Sequence, residues 1–154
     1  SKAYSLPGLR LGWSIGSEEY IKHAWSFHDY TVINVAYLSD WVASRILEQD
    51  RRKKILDRTK AHLNFNLNML CDWANNEKSL SINRPSAGAI TFAKLNLDIK
   101  SEEFIFSLRD DYSVLLTAGK WHGMDGYVRF GYGTPTEYVM NGLKRVSKYL
   151  KSFN

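Results

Sequence analysis

The sequence predicts an α/β fold in which helices alternate with short strands. One stretch of about 26 residues has helical spacing of its apolar side chains and contains neither glycine nor proline. Several shorter segments alternate apolar and polar residues, as half-buried strands do. The chain has 154 residues, of which 44% are hydrophobic. That length suffices for one domain with a core, or for a small domain plus part of another.

The first third of the chain predicts one strand and two helices. Residues 9–16 alternate in polarity between glycines, so we expect a strand there. Ser17 followed by two glutamates is typical of a helix start, and this helix should reach about residue 28. Apolar residues at helical spacing predict a second helix over about 35–49.

The longest predicted element is a helix over about residues 51–76. A helix of that length spans roughly 39 Å, which is long for a small domain. We therefore expect it to join two domains.

The second half of the chain predicts four strands and two further helices. The strands are expected over residues 81–84, 89–97, 113–118 and 127–132, and one helix over 101–111. The last helix should occupy 135–153, with Thr134 as its cap, Pro135 in its first turn and Glu137 as a capping-box acid.

Composition argues against several classes of function. The net charge is +5, with much of the basic excess between residues 51 and 60, but Asp50 and Asp57 interrupt it and no stacking aromatics accompany it. A solvated helix face is therefore favoured over a nucleic-acid surface. We expect no metal, since the histidines and Cys71 share no ligand spacing. No apolar run approaches the roughly 18 residues of a membrane span.

The opening of the chain carries the most specific motif. It reads Ser1-Lys2-x4-Pro7-Gly8-x-Arg10-x-Gly12-Trp13. This arrangement resembles the cofactor-lysine signature of fold type I pyridoxal-phosphate (PLP) enzymes, specifically the class I/II aminotransferases of the aspartate aminotransferase superfamily. The alternative is an ordinary surface lysine followed by a tight Pro-Gly turn.

The resemblance implies a role for each residue of the motif. Lys2 would condense with the aldehyde of PLP, since a primary amine is required, and would then move a proton at the substrate Cα. Arg10 would hold the cofactor phosphate with two parallel hydrogen bonds. Ser1 would add a hydroxyl donor.

Three later segments extend the resemblance over nearly the whole chain. Residues 84–92 are similar to the "Pro-x-Gly-Gly-x-Phe" entry into the small domain, with Ala89 in place of the second glycine. Residues 114–119 are similar to the strand that ends in "Pro-Gly", with Ala118 in place of the proline. Residues 126–132 resemble the late strand whose arginine binds the substrate α-carboxylate, so Arg129 is the substrate-binding candidate. His122 could touch substrate, but a surface-loop histidine is favoured.

The resemblance also implies an architecture. Residues 1–55 would be the tail of the large PLP-binding domain, and 56–154 the small α+β domain. We expect a fragment, because the chain opens without Met in a turn-rich stretch, and we expect it to be inactive alone. The whole enzyme would be a cytoplasmic homodimer that uses amino acids and 2-oxo acids.

Two other functions stay open at this point. The same fold supports a PLP-dependent lyase, cyclase or decarboxylase, because reaction choice depends on which bond at Cα is aligned. A non-enzymatic binding module that uses the basic helix is the other alternative.

Overall fold

The computed structural model describes residues 3–153. The chain divides into two compact units, Ser1–Lys60 and Ala61–Asn154, and the division falls within one long helix. The assignment of residues 1–55 and 56–154 to a large and a small domain stays a prediction. In the described residues the mixture of helix and strand agrees with the predicted fold class.

Helices dominate the N-terminal unit. A 3-10 turn, Pro7–Leu9, precedes α1 (Glu18–Thr31) and α2 (Tyr37–Ile46). The predicted cap of α1 is confirmed, because the Ser17 side chain accepts a hydrogen bond from the Tyr20 backbone N–H at 3.2 Å. Helix α3 (Gln49–Asn75) begins in this unit and matches the predicted long helix closely. α2 is shorter than predicted, since Ala36 is still extended and Ile46 is its last residue.

The predicted strand over residues 9–16 is wrong. Leu9 closes the 3-10 turn, Arg10 adopts a left-handed conformation with φ of 49°, and the residues up to Gly16 form no regular element. A strand needs a hydrogen-bonded neighbour, and the described part of the N-terminal unit supplies none. Alternation of side chains alone could not reveal this.

A four-stranded antiparallel sheet forms the centre of the C-terminal unit. Its strands are β1 (Leu80–Ile82), β2 (Ile90–Leu95), β3 (Thr117–Ala118) and β4 (Tyr127–Gly131), in the spatial order β1-β2-β4-β3. Each strand lies within or beside the segment predicted for it, but β3 is much shorter than the predicted 113–118.

The end of the preceding helix explains the short β3. Helix α4 spans Ser101–Tyr112, and Ser113 follows it with φ of 53°. The N–H groups of Ser113 and Val114 bond back to the carbonyls of Arg109 and Leu108, at 3.1 and 3.2 Å. This left-handed cap uses the backbone donors that a strand would need.

The last helix, α5 (Thr136–Leu150), begins one residue later than its predicted cap requires. Pro135, not Thr134, is the N-cap, and no side chain caps the helix there. The Pro135 carbonyl accepts from the N–H groups of Tyr138 and Val139. The backbone carbonyl of Thr134 instead contacts His62 and Asn66 on α3. A 3-10 turn, Lys151–Phe153, follows α5.

One face of the sheet carries the hydrophobic core of the C-terminal unit. Ala93, Val128 and Phe130 point into that core from β2 and β4. Side chains of the C-terminal part of α3, of α4 and of α5 complete the same cluster: Leu67, Leu70, Phe104, Ile105, Leu108, Leu143, Val146 and Leu150. The unit is thus a two-layer α+β arrangement.

None of the helices in residues 3–153 combines the length and apolar composition that a membrane crossing requires.

Leu70 tests the packing of α3 against this core. It is 1% exposed, whereas Phe65 on the same helix is 62% exposed. Leu70→Ala should lower the free energy of unfolding by about 2–5 kcal/mol, through lost burial and a residual cavity. Phe65→Ala should change it by no more than about 0.5 kcal/mol. Urea denaturation of the two variants checks this, and equal losses would contradict the described core.

Candidate functional site

The predicted site residues fall in three places. Ser1 and Lys2 lie outside the described residues. Arg10 belongs to the N-terminal unit and Arg129 to the C-terminal unit. The roles assigned to all four stay predictions, so the geometry around each arginine is given within its own unit.

Arg10 ends a tightly folded loop. Its backbone N–H donates to the Pro7 carbonyl at 3.3 Å, and its guanidinium Nη1 contacts the same oxygen at 3.4 Å. Ser5 and Arg10 both have positive φ, of 53° and 49°. Left-handed backbone at two non-glycine residues is uncommon and is often found at functional sites.

The loop is attached to the rest of its unit by polar and apolar contacts. The Tyr4 hydroxyl accepts a hydrogen bond from Arg52 Nε at 3.0 Å, and the Ser5 hydroxyl accepts one from Thr59 at 3.4 Å. A small apolar pocket lies between this loop and α2, lined by Tyr4, Leu6, Leu9, Leu11, Trp13, Ala43, Ile46 and Leu47. These contacts fix the backbone from which Arg10 projects.

The charge of Arg10 is available to an anion. The residue is exposed, and within residues 3–153 it forms no salt bridge with a carboxylate. An exposed guanidinium with free N–H donors matches the geometry of phosphate oxygens. The chemistry at this position therefore fits a phosphate-bearing ligand.

Arg129 lies on the face of the sheet opposite the core. Its neighbours on β4, Val128 and Phe130, are buried, while Arg129 is half-buried. Strand register places Phe92 of β2 and Thr117 of β3 directly beside it. Cross-strand neighbours on one face have Cβ atoms about 5 Å apart. Arg129 thus stands in the middle of a row, Phe92–Arg129–Thr117.

His122 adds an aromatic contact to this row. It ends a 3-10 turn, Gly119–His122, and its ring meets Phe92 edge-on, with ring centroids 5.5 Å apart. The sequence favours a surface-loop histidine at this position, and His122 is indeed exposed. The sequence alone does not single out Phe92 or Thr117. Only the pairing of β2, β3 and β4 brings them next to Arg129.

The loop that carries His122 is held at the start of α4. Asp125 accepts hydrogen bonds from the Ser101 hydroxyl at 2.6 Å, the Ser101 N–H at 3.2 Å and the Gly126 N–H at 2.9 Å. The bond from the Ser101 side chain is the main cause that lowers the pKa of Asp125. Glu102 accepts from Lys120 and from Trp121, and the Lys120 bond chiefly lowers the pKa of Glu102.

Comparison with known proteins assigns the family. Residues 1–146 match the family described as aminotransferase class I and II. The chain therefore belongs to the class I and II aminotransferases.

Individual relatives agree with this family. A solved PLP-dependent aminotransferase from Streptococcus suis 89-1591 is 33% identical, with a TM-score of 0.93 over 99% of this chain and 40% of that one. The aspartate aminotransferase of Pyrococcus horikoshii is 24% identical over 98% of this chain and 39% of its own length. A solved PLP-dependent cyclase, OrfR, is 25% identical, with a TM-score of 0.87 over 97% of this chain and 41% of that one. The chain thus spans about 40% of the length of the relatives it matches.

Asp125 predicts a pH dependence of stability. Its pKa is lowered in the folded chain, so its carboxylate stabilises the fold at pH values above the pKa that it has in the unfolded chain. That contribution is lost as the pH falls below this value through the folded pKa. Unfolding measured between about pH 6 and pH 2 should therefore show a weaker acid dependence in Asp125→Asn than in the unsubstituted chain.

Asp98→Asn is the matched control for this pH series. Three donors contact the Asp125 carboxylate, whereas the side-chain hydrogen bonds found within residues 3–153 include none to Asp98. Its replacement should therefore change the pH dependence of the free energy of unfolding less than Asp125→Asn does. If the pH dependence of the free energy of unfolding is unchanged in Asp125→Asn, this carboxylate does not hold the loop.

Replacement of Gly119 and of Gly142 by alanine should change the stability of the chain in opposite directions. A Cβ on Gly119 would lie 2.5 Å from the Tyr127 carbonyl oxygen and still closer to that of Met124. Gly119→Ala should thus destabilise the chain by about 1–3 kcal/mol. Gly142, inside α5, has no atom within 4 Å of such a Cβ, so Gly142→Ala should stabilise by about 0.5–1 kcal/mol. Thermal denaturation compares them, and a shift of the same sign in both would contradict the close approach at Gly119.

Proposed function

We propose that this chain is the C-terminal part of a PLP-dependent aminotransferase, which moves an amino group between an amino acid and a 2-oxo acid. The observation that carries the proposal is the family match over residues 1–146. The name of the Streptococcus suis relative supports the same cofactor and reaction. Residues 1–55 belong to the large domain in this proposal, and 56–154 form the small domain.

Lys2 is the proposed catalytic residue. Bound covalently through its aldehyde, PLP supplies an electron sink that weakens the bonds at the substrate Cα. The Lys2 amine would hold the aldehyde of the cofactor and would move the proton at the substrate Cα as base and acid. The hydroxyl of Ser1, directly before it, would donate a hydrogen bond to the cofactor phosphate.

Arg10 is the proposed phosphate ligand. The exposed guanidinium, the absence of an acidic partner within residues 3–153 and the fixed loop around it support this role. Two parallel N–H bonds to phosphate oxygens hold an anion more firmly than a single ammonium does.

Arg129 is the proposed ligand of the substrate α-carboxylate. Its place on the exposed face of the sheet, between Phe92 and Thr117, supports this role. A carboxylate that binds in two parallel hydrogen bonds is fixed in direction as well as position. Such orientation would matter because the reacting groups must be aligned before a bond at Cα can break.

The remaining parts of the site lie outside these residues in this proposal. Partners for the cofactor ring, and the rest of its phosphate site, come from the remainder of the large domain and from a second subunit of a homodimer. The chain by itself is accordingly inactive. One cysteine in 154 residues is consistent with a cytoplasmic enzyme.

A related reaction is the second candidate. The similarity to the PLP-dependent cyclase OrfR, at 25% identity, favours it specifically. Amino-acid half-reactions of the whole protein separate the two, since only transamination accumulates the amine form of the cofactor. If an amino acid is converted without that accumulation, the aminotransferase proposal is wrong and the cyclase-type reaction is favoured.

Cofactor attachment tests Lys2 directly. When the whole protein is incubated with PLP and reduced with borohydride, mass spectrometry should find the adduct on the peptide that contains Lys2. Lys2→Ala should remove that adduct, while Lys60→Ala, on α3, should retain it. An adduct that persists in Lys2→Ala would place the cofactor lysine elsewhere.

Substitution of Arg129 tests the carboxylate ligand. Arg129→Lys keeps the charge but loses the planar pair of donors, so kcat/KM for the amino acid should fall by a factor on the order of 100. Arg109→Lys is the matched control, because Arg109 pairs with its neighbour Asp110 on α4. Steady-state kinetics of the whole protein measure both. An unchanged kcat/KM in Arg129→Lys would exclude the role.

A further inference from the structure

Asn66 is a fully buried polar residue that the proposed site does not use. It lies on α3 with 0% of its surface exposed. Its Nδ2 donates to the carbonyls of Tyr132 at 2.9 Å and Thr134 at 3.0 Å, and its Oδ1 accepts from the Thr136 hydroxyl at 2.7 Å. All of these partners lie between β4 and the first turn of α5. A single amide side chain therefore contacts the connection at three residues.

His62, one turn earlier on α3, completes this network. Its Nε2 is 3.0 Å from the Thr134 carbonyl and 3.3 Å from Asn66 Nδ2. The Thr134 carbonyl oxygen can only accept, so its 3.0 Å contact with His62 Nε2 is a hydrogen bond only when that nitrogen carries a hydrogen. His62 Nε2 must therefore carry a hydrogen and donate it to Thr134. The Thr134 oxygen then accepts two bonds, which fills its capacity.

The far side of the same connection is fixed as well. The Tyr132 N–H donates to the Ala89 carbonyl at 2.9 Å, and the Tyr132 hydroxyl donates to Gly88 at 3.0 Å. Gly133 lies so close to Ala89 that an added Cβ would be 3.2 Å from the Ala89 side chain. The residues directly after β4 are thus held between α3 and the start of β2.

We propose that Asn66 is a positioning residue for Arg129. This inference rests on the proposed function, in which Arg129 binds the substrate carboxylate. Arg129 precedes Tyr132 by three residues on the same extended segment, so the anchor at Tyr132 and Thr134 sets where β4 ends. A slip of one residue would turn the Arg129 side chain from the exposed face toward the core. Smaller shifts would move its guanidinium away from the carboxylate.

Two variants separate this role from simple loss of folding. Asn66→Asp keeps the shape but replaces the donating amide with an oxygen that faces two carbonyls. Thr136→Val removes only the hydroxyl that donates to Asn66. Asn64→Ala is the matched control, since Asn64 is an exposed asparagine half a turn away on the same helix. Steady-state kinetics and borohydride fixation of PLP are measured on each whole protein.

We expect kcat/KM for the amino acid to fall roughly tenfold to hundredfold in Asn66→Asp, and less in Thr136→Val, through misplacement of the guanidinium. Fixation of PLP on Lys2 should be unchanged in both, which shows that the variants are folded. Asn64→Ala should match the unsubstituted protein. A kcat/KM within about twofold of that protein in both Asn66→Asp and Thr136→Val would overturn the proposal.

A double-mutant cycle with Arg129→Lys identifies the route of the effect. If Asn66 acts through Arg129, Asn66→Asp should have little further effect in the Arg129→Lys protein. Equal losses in both backgrounds would show a general structural role and overturn the proposal. An unchanged kcat/KM in Arg129→Lys would instead exclude the proposed role of Arg129 in carboxylate binding, so the two failures are distinguishable.

The hydrogen-bond assignment has its own readout. Nitrogen-15 spectra of the neutral His62 ring should show hydrogen on Nε2 rather than Nδ1. The opposite tautomer would break the described network and, with it, the positioning role of Asn66.

Discussion

The pairing of β2 with β4 is the constraint on which the rest of the C-terminal unit depends. Phe92 lies opposite Arg129, and Ala93 opposite Val128. Because side chains alternate across a strand, this one register sends the second pair into the core and leaves the first pair on the opposite face. The same alignment that buries Val128 and Phe130 therefore places Arg129 on the opposite face of the sheet. Stability and the candidate site share one set of backbone hydrogen bonds.

Local signals allowed most helices to be predicted from the sequence, whereas strands depended on distant partners. Ser17 and the two glutamates after it determine where α1 begins, and these three residues are consecutive in the sequence. The segment 9–16 has equally good alternation, yet it forms no strand, because the described residues offer it no neighbour. The predicted strand at 113–118 is shortened for a different reason. The left-handed Ser113 uses the first donors of that segment to close α4.

The candidate site, too, could be predicted only in part. The resemblance to the aminotransferase family identified Arg10 and Arg129 as candidates, because the motifs that carry it can be recognised in the linear sequence. Their surroundings could not be predicted in this way. Phe92 and Thr117 become neighbours of Arg129 only through strand register, and His122 reaches Phe92 only through the turn that Ser101 and Asp125 hold. Asn66 contacts Tyr132 across 66 residues of sequence, and an asparagine on a polar helix gives no sign of such a contact.

The partners of the arginines indicate which of them serve structure. Arg45 of α2 and Arg51 of α3 share Glu48, which lies between these two helices, and Arg109 pairs with Asp110 on α4, so each of the three has a carboxylate beside it. Arg129 is half-buried, and within residues 3–153 no acidic side chain forms a salt bridge with it. Partial burial of a cation costs free energy unless an anion or hydrogen-bond acceptors offset it. In the proposed function, the carboxylate of the substrate supplies that anion at the position where the β2–β4 register holds Arg129.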